Sequence, residues 1–576
     1  MVDKLRNLKE RIKAARGEIL SDLVLKKGRV VNVFSGKIQK SDVAVYDGFI
    51  VGLGPDYHGT VEIDLRGKWV TPGLIDGHIH IESSMLLPSR LAAALLPHGT
   101  TTIISDPHEI ANVMGIDGVH FMMKESQSIP FDIFFMAPSC VPATHLETSG
   151  AQLSASDLAE LKNEPRILGL AEMMNFPGVL MGAAEVLEKL ILFDDKIIDG
   201  HGPSLSGYDL QAYLTAGIRS DHETYDSEEG MEKVNSGMML MIREGTSAKN
   251  LEKLLPLVNH NNARRFCFVS DDLHPQDILR RGHLNFTLRK AIGLGLDPVT
   301  AVQMVTLNPA EYFGLRQRGA VAPGYRADLV VLEDLEGFSV ERVYKDGNLV
   351  VNKAQLLGFP YEKEPSIDSR PLEIAQLSPE SFQIRDLCTE VRVIKLIPGQ
   401  ILTGVCYERL KSENGLIVVN IESDILKLAV VERHWATGNI GLGFVQGFGL
   451  RKGALATSVA HDSHNVIAVA TNDRDLYRAV EEVRVMGGGI VVTDAEEVLA
   501  RIPLEVAGLM SKEPLERLTG QLDEINSAAA SLGCIIPEPF MALSFLALPV
   551  IPELKLTDMG LVDVNKFEIV PLFVKI

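Results

Sequence analysis

Between Thr71 and Arg318 eight short apolar runs recur, each separated from the next by a stretch with helical patterning. Runs that alternate with helices in this way form βα units, and parallel strands covered on both faces read as nearly unbroken apolar segments. The runs end near His80, Asp106, Ala137, Glu172, His201, His222, Arg243 and Asp271. Eight units in about 250 residues fit a (β/α)8 TIM-like barrel, in which reactive groups leave from the C-terminal ends of the strands. An open doubly wound sheet is the competing arrangement, and it would keep the first and last strand ends apart.

The first run, Val70 to His80, carries two histidines at i and i+2, His78 and His80. On a strand such a pair shares one face. Adding the later strand ends gives His78, His80, Glu172, His201, His222 and Asp271, four imidazoles and two carboxylates. That set can hold two divalent ions with one carboxylate shared between them, and it leaves room for a hydroxide nucleophile. Nitrogen and oxygen donors without thiolate suit Mn²⁺ or Fe²⁺, with Zn²⁺ possible. Each residue has a duller role open to it. A buried histidine is ordinarily a hydrogen-bonded core group, Glu172 could sit in a salt bridge, and Asp271 or Asp272 could cap the helix near Gln276.

The barrel segment, 71–318, is flanked by two β-like pieces, 1–70 and 319–377, which together suggest one small β-sandwich domain split by an insertion. Lys345-Asp346-Gly347-Asn348 reads as its hairpin turn. The N-terminus, Met1 to Glu18, is charged, with Leu5, Leu8, Ile12 and Ala15 at helical spacing. It lacks the apolar core of a signal peptide, which predicts a surface helix on a cytoplasmic protein. The last segment, 378–576, reads as an extra α+β domain. Val391–Leu396 and Gly415–Asn420 are its expected strands, and Asp475–Met486, Ala495–Leu509 and Pro514–Leu532 its expected helices. Glycines between Gly438 and Gly453 read as tight turns, since no phosphate-cradle motif accompanies them.

A net charge of −20 over 576 residues argues against nucleic acid or anionic membrane as a partner. Five scattered cysteines (Cys140, Cys267, Cys388, Cys406, Cys534) with no CxxC suit a reducing compartment. Large barrels of this kind often pair, so a homodimer or higher homo-oligomer is expected.

Thr71 to His80 resembles the first-strand motif of the amidohydrolase superfamily. Several further stretches are similar to the adenine deaminases within it: His78 to Met85, Asp106 to Val113, Met241 to Gly245, Ser270-Asp271-Asp272 and, in the last segment, Ser458 to Asn465. The resemblance implies a hydrolase, of purine salvage, that removes the 6-amino group of adenine to give hypoxanthine and ammonia, with two Mn²⁺ or Fe²⁺ ions per chain. It implies Asp271 as the group that moves the water proton to the departing nitrogen, and Asp272 as a partner for a purine ring nitrogen. Glu223 is a further catalytic candidate. Glu82, His108, Glu109, Arg243, His461 and His464 are expected at the substrate, with Glu244 and Asp462 as weaker neighbours. A cyclic amidase of the dihydroorotase or hydantoinase type is the runner-up; its bridging group is a carboxylated lysine where this chain has Glu172. An amino-sugar deacetylase and a barrel that binds metal without turnover complete the alternatives.

Overall fold

The structure, a computed structural model, describes residues 2–246, 248–360, 372–387, 389–397 and 400–574. Cys388 lies outside them. The eight apolar runs form eight parallel strands: β1 Leu74–Ile79, β2 Thr100–Ser105, β3 Asp132–Ala137, β4 Ile167–Met173, β5 Ile197–Gly200, β6 Ser220–Asp221, β7 Met239–Arg243 and β8 Phe266–Val269. They pair as an arc of five, β1 to β5, and an arc of three, β6 to β8. The seams close with few bonds. Asp271 N donates to His78 O (2.9 Å) between β8 and β1, and Arg219 N donates to Ile198 O (3.0 Å) between β6 and β5.

Alternation decides which side chains fill the barrel. Ile104 of β2, Met136 of β3, Ala171 of β4 and Met241 of β7 pack in the interior with Ile75 and Val269. Their sequence neighbours Ile103, Phe135 and Leu170 pack outward against the helices. In β1 the register shifts between Asp76 and Ile79. That irregularity moves the inward phase from Ile75 to His78 and His80, which a regular strand would have turned away.

Both flanks contribute to a single nine-stranded sheet. Its two halves join where Trp69–Pro72 pairs antiparallel with Leu329–Leu332, so the flanking sheet runs two residues past the boundary expected at Val70. The sheet curls over its own core of Leu25, Val30, Val45, Leu329 and Val331, and a bridge between Phe49 and Arg326 ties its edge strand Phe49–Leu53 back to the start of the central strand Leu329–Leu332. Asp346 (φ 49°) and Gly347 (φ 77°) make the expected hairpin turn between Val340–Lys345 and Asn348–Asn352. The N-terminal helix, Val2–Ala15, leaves Leu5, Leu8 and Ile12 exposed. No helix among the described residues is long and apolar enough to cross a membrane.

The last segment is built on an eight-stranded sheet with helices Asp473–Met486 and Leu515–Ser531 beside it. The helix expected over Ala495–Leu509 is instead a strand, Glu497–Pro503, paired with Gly489–Asp494. Its exposed Glu497, Leu499 and Arg501 alternate with more buried neighbours, a period of two that outweighs its helix-favouring composition. Gly415–Asn420 yields only the two-residue strand Leu416–Ile417.

This segment docks on the barrel through the loop after β3. Thr148 donates to Asp558 from its backbone N (2.9 Å) and its Oγ1 (2.6 Å), and Asn465 Nδ2 donates to Thr148 O (2.8 Å). Glu147, buried in that contact, has its carboxyl pushed up to about 8 by burial and by Asp462. An unfolded glutamate titrates near ~4.3, so between that pH and about 8 the folded chain holds the extra proton. Stability therefore falls as pH rises through this window. Glu147→Gln, permanently neutral, is expected to raise the thermal midpoint at pH 8 by a few degrees (about 2–4 °C) and to change it little at pH 5. Equal shifts at both pH values would remove Glu147 as the source of the slope.

Candidate metal centre and active site

The six ligand-type residues expected from the strand ends converge at one rim. Glu172, at the end of β4, lies at the centre with its two oxygens facing different partners. Oε1 is 3.4 Å from His80 Nε2 and 3.8 Å from His78 Nε2. Oε2 is 2.6 Å from His201 Nδ1 and 3.2 Å from His222 Nε2. Asp271 Oδ1 completes the first group, 3.2 Å from His80 Nε2 and 3.5 Å from His78 Nε2. Donors bound to one ion at about 2.0–2.2 Å stand roughly 3–3.6 Å apart, so this spacing fits ion ligation. The His78 Nε2 atom, buried and without a hydrogen-bond partner, points the same way.

Neighbouring groups fix these donors. His80 Nδ1 lies 3.1 Å from the Asp106 carbonyl, which takes that ring nitrogen as donor and leaves Nε2 as the lone-pair nitrogen. Arg243, at the end of β7, donates to Glu223 through both Nη1 (2.5 Å) and Nη2 (2.7 Å), and Nη1 also reaches Asp271 Oδ2 (2.6 Å). Burial works against charge on Asp271, but Arg243 with His78 and His80 outweighs it and holds the carboxyl well below the usual range. Glu172 is held low in the same way, by His222 and His201 against burial. Asp271 itself occupies the left-handed region at φ 60°, which Asp and Asn tolerate better than most residues.

Above the donors lies a cavity. His108, Glu109, Glu223, Arg243, Asp272 and His461 all border it. Ser83 Oγ is 2.5 Å from Asp272 Oδ1 and 2.9 Å from Glu109 Oε1, tying these two carboxyls together.

Two expected substrate contacts are absent from the cavity wall. Glu82 turns back to accept from Ile110 N (3.0 Å), and burial together with Glu109 pushes its carboxyl up to about 8. His464 lies behind Glu109, its Nδ1 accepting from Ala460 N (3.2 Å). That bond leaves the proton on Nε2, which faces Glu109 Oε2 at 3.6 Å. Glu109, His461 and His464 are compact enough for an ion, yet a protonated Nε2 cannot ligate one. Glu244 also turns away, pairing with Lys290 at 2.8 Å.

From the sequence Asp106 is only a strand end and Asp462 only a weaker neighbour, and the apolar wall has no role. Asp106 is buried with neither carboxylate oxygen hydrogen-bonded, 3.2 Å from His108 Nδ1. Its place at the end of the second apolar run was the available signal. With His80, His108 and Glu172 it forms a further group that could hold an ion. Asp462 stands 3.8 Å from His108 Nε2 and 3.6 Å from His461 Nδ1. The apolar side of the cavity comes from Ile401, Phe545, Leu548, Val550 and Ile551, none of which carries a motif.

Comparison with known proteins agrees with this geometry. The amidohydrolase family pattern matches residues 69–350, and the adenine deaminase C-terminal domain pattern matches residues 400–568. A protein named adenine deaminase from Desulfatibacillum aliphaticivorans is 52% identical over 564 residues, 98% of this chain and 99% of the relative. Another of that name from Dehalococcoides mccartyi is 49% identical over 565 residues, again 98% and 99%. One from Methanothrix thermoacetophila is 46% identical over 570 residues, 99% of this chain and all of the relative.

Proposed function

The chain belongs to the adenine deaminases of the amidohydrolase family, and from that premise we propose that it hydrolyses adenine to hypoxanthine and ammonia at two divalent ions, in purine salvage. The observation that carries the two-ion reading is Glu172, which turns one oxygen to His78 and His80 and the other to His201 and His222. The first ion would be held by His78, His80, Asp271 and Glu172, the second by Glu172, His201 and His222. Donors of nitrogen and oxygen alone favour Mn²⁺ or Fe²⁺, with Zn²⁺ possible. When bound, the ions supply the positive charge that lets water react as hydroxide near neutral pH.

The chain's own residues do the rest. Water oxygen adds to C6 of the purine, and the 6-amino nitrogen must gain a proton before it can leave. Asp271 takes the proton from the water and delivers it to that nitrogen. Arg243, bonded to Asp271 Oδ2 and to Glu223, keeps the carboxylate oriented and disfavours its holding the proton for long. Asp272, fixed through one oxygen by Ser83, offers the other to a ring nitrogen, with Glu109 and His461 beside it. The barrel segment, 71–318, carries the chemistry, the flanking pieces, 1–70 and 319–377, brace it, and the last segment, 378–576, covers the base. The cyclic-amidase alternative loses support because Glu172 stands where a carboxylated lysine is needed.

The test is direct. Chain loaded with Mn²⁺ or Fe²⁺ is expected to release ammonia and hypoxanthine in equal amounts from adenine. Turnover of dihydroorotate with no ammonia from adenine would overturn the reading.

A further inference from the structure

Lys555 sits on the strand Leu554–Thr557 and is fully buried, between the equally buried Leu554 and Leu556. Its Nζ donates to two backbone carbonyls, Ile401 O at 2.8 Å and Phe545 O at 2.9 Å. Burial pushes the amine down to about 7. Two acceptors match the two hydrogens of a neutral amine, whereas an ammonium would leave a third N–H unpaired in apolar surroundings.

Both acceptors belong to residues that border the cavity above the metal ligands. Ile401 comes from one stretch of chain and Phe545 from another, and they pack together with Leu548, Val550 and Ile551. Phe545 is also stacked on His461, with ring centroids 4.6 Å apart and planes 15° apart. The wall thus has one face toward the cavity and one amine holding its two halves from behind.

We propose that Lys555 is a positioning residue for base recognition: by tying the Ile401 and Phe545 carbonyls it holds two separate segments as a single flat apolar surface against the purine. The tie rests on the adenine reading for the identity of the base, and on the geometry alone for the wall. Removing the amine strands two buried carbonyls, which then draw their segments toward other partners. The surface loses its flatness while the metal ligands, held on the barrel, stay in place.

The experiment compares Mn²⁺-loaded full-length chain with Lys555→Met and Lys555→Gln. Met fills the space without donating, whereas Gln keeps two N–H donors on a shorter side chain. Lys555→Met is expected to raise KM for adenine about tenfold with kcat within about threefold and bound metal unchanged; Lys555→Gln should recover part of the loss. Unchanged KM, or a fall in kcat alone, would overturn the proposal. Hydrogen exchange at the amides of 545–551, measured without substrate, should quicken in the Met variant, or in the Gln variant should Met fail to fold. Unchanged exchange would overturn the tie whatever the substrate. Wild-type chain that leaves adenine untouched sinks the deaminase reading instead, and the exchange result still decides the tie.

Discussion

Replacing Asp271 by Asn should lower turnover of adenine by about a thousandfold or more, within the range of roughly 10²–10⁴ for loss of a general acid–base group plus its charge. The side chain keeps its shape, and Asn accepts the φ of 60° that Asp271 occupies, so the loop after β8 should keep its course. What is lost is specific. An amide cannot take up a proton from water, and its oxygen is a weaker partner for Arg243, which now bonds both Asp271 and Glu223. Steady-state kinetics together with the thermal midpoint check this: kcat should collapse while the midpoint stays within a few degrees, about 3 °C. Near-normal turnover would take Asp271 out of the proton path and return attention to Glu223 and Asp272. Glu223→Gln offers the contrast. It weakens the pull on Arg243 but leaves the Asp271 carboxylate, so its cost should fall well short of that for Asp271→Asn.

How much of this was legible before any coordinates follows from where each residue sits. His78, His80, Glu172, His201, His222 and Asp271 each follow an apolar run, and parallel barrels deliver strand ends to one rim. Local sequence therefore carried a long-range fact. The shift in β1 that turns both histidines inward left no mark, because alternation alone would have counted His78 out of phase with Ile75. Glu82 and His464 lie in stretches with the right composition but face the wrong side, since loop direction depends on contacts such as Ile110 N and Ala460 N. The apolar wall was illegible for a different reason. Ile401, Phe545 and Lys555 look like ordinary core residues, and only their meeting over the ligands gives them a role.

Glu172→Gln tests the premise under both metal positions, and the expected result is loss of about one ion of two, with at least a hundredfold weaker binding at that position. The reasoning comes from the two ends of the carboxylate. A glutamine offers one oxygen and one NH2, and an NH2 cannot ligate a cation. If the amide oxygen turns to His201 and His222, the pair His78 and His80 keeps Asp271 as its one anion. If it turns the other way, His201 and His222 keep only Glu223, whose Oε1 is 3.8 and 3.6 Å from them and already engaged by Arg243. The second outcome costs more, so the amide oxygen should settle on the His201 side and the ion beside His80 should be the weakened one. Ligand atoms of Asp106 and His108 lie within 4.8 Å of those of His80 and Glu172 and could keep a loosened ion near them, so Glu172→Gln with Asp106→Asn should lose more metal than Glu172→Gln alone. Elemental analysis after dialysis, paired with ammonia release, separates the cases. Two tightly held ions with full turnover in the single variant would mean that Glu172 is not shared, and a single ion with full turnover in the wild-type chain would overturn the two-ion reading itself.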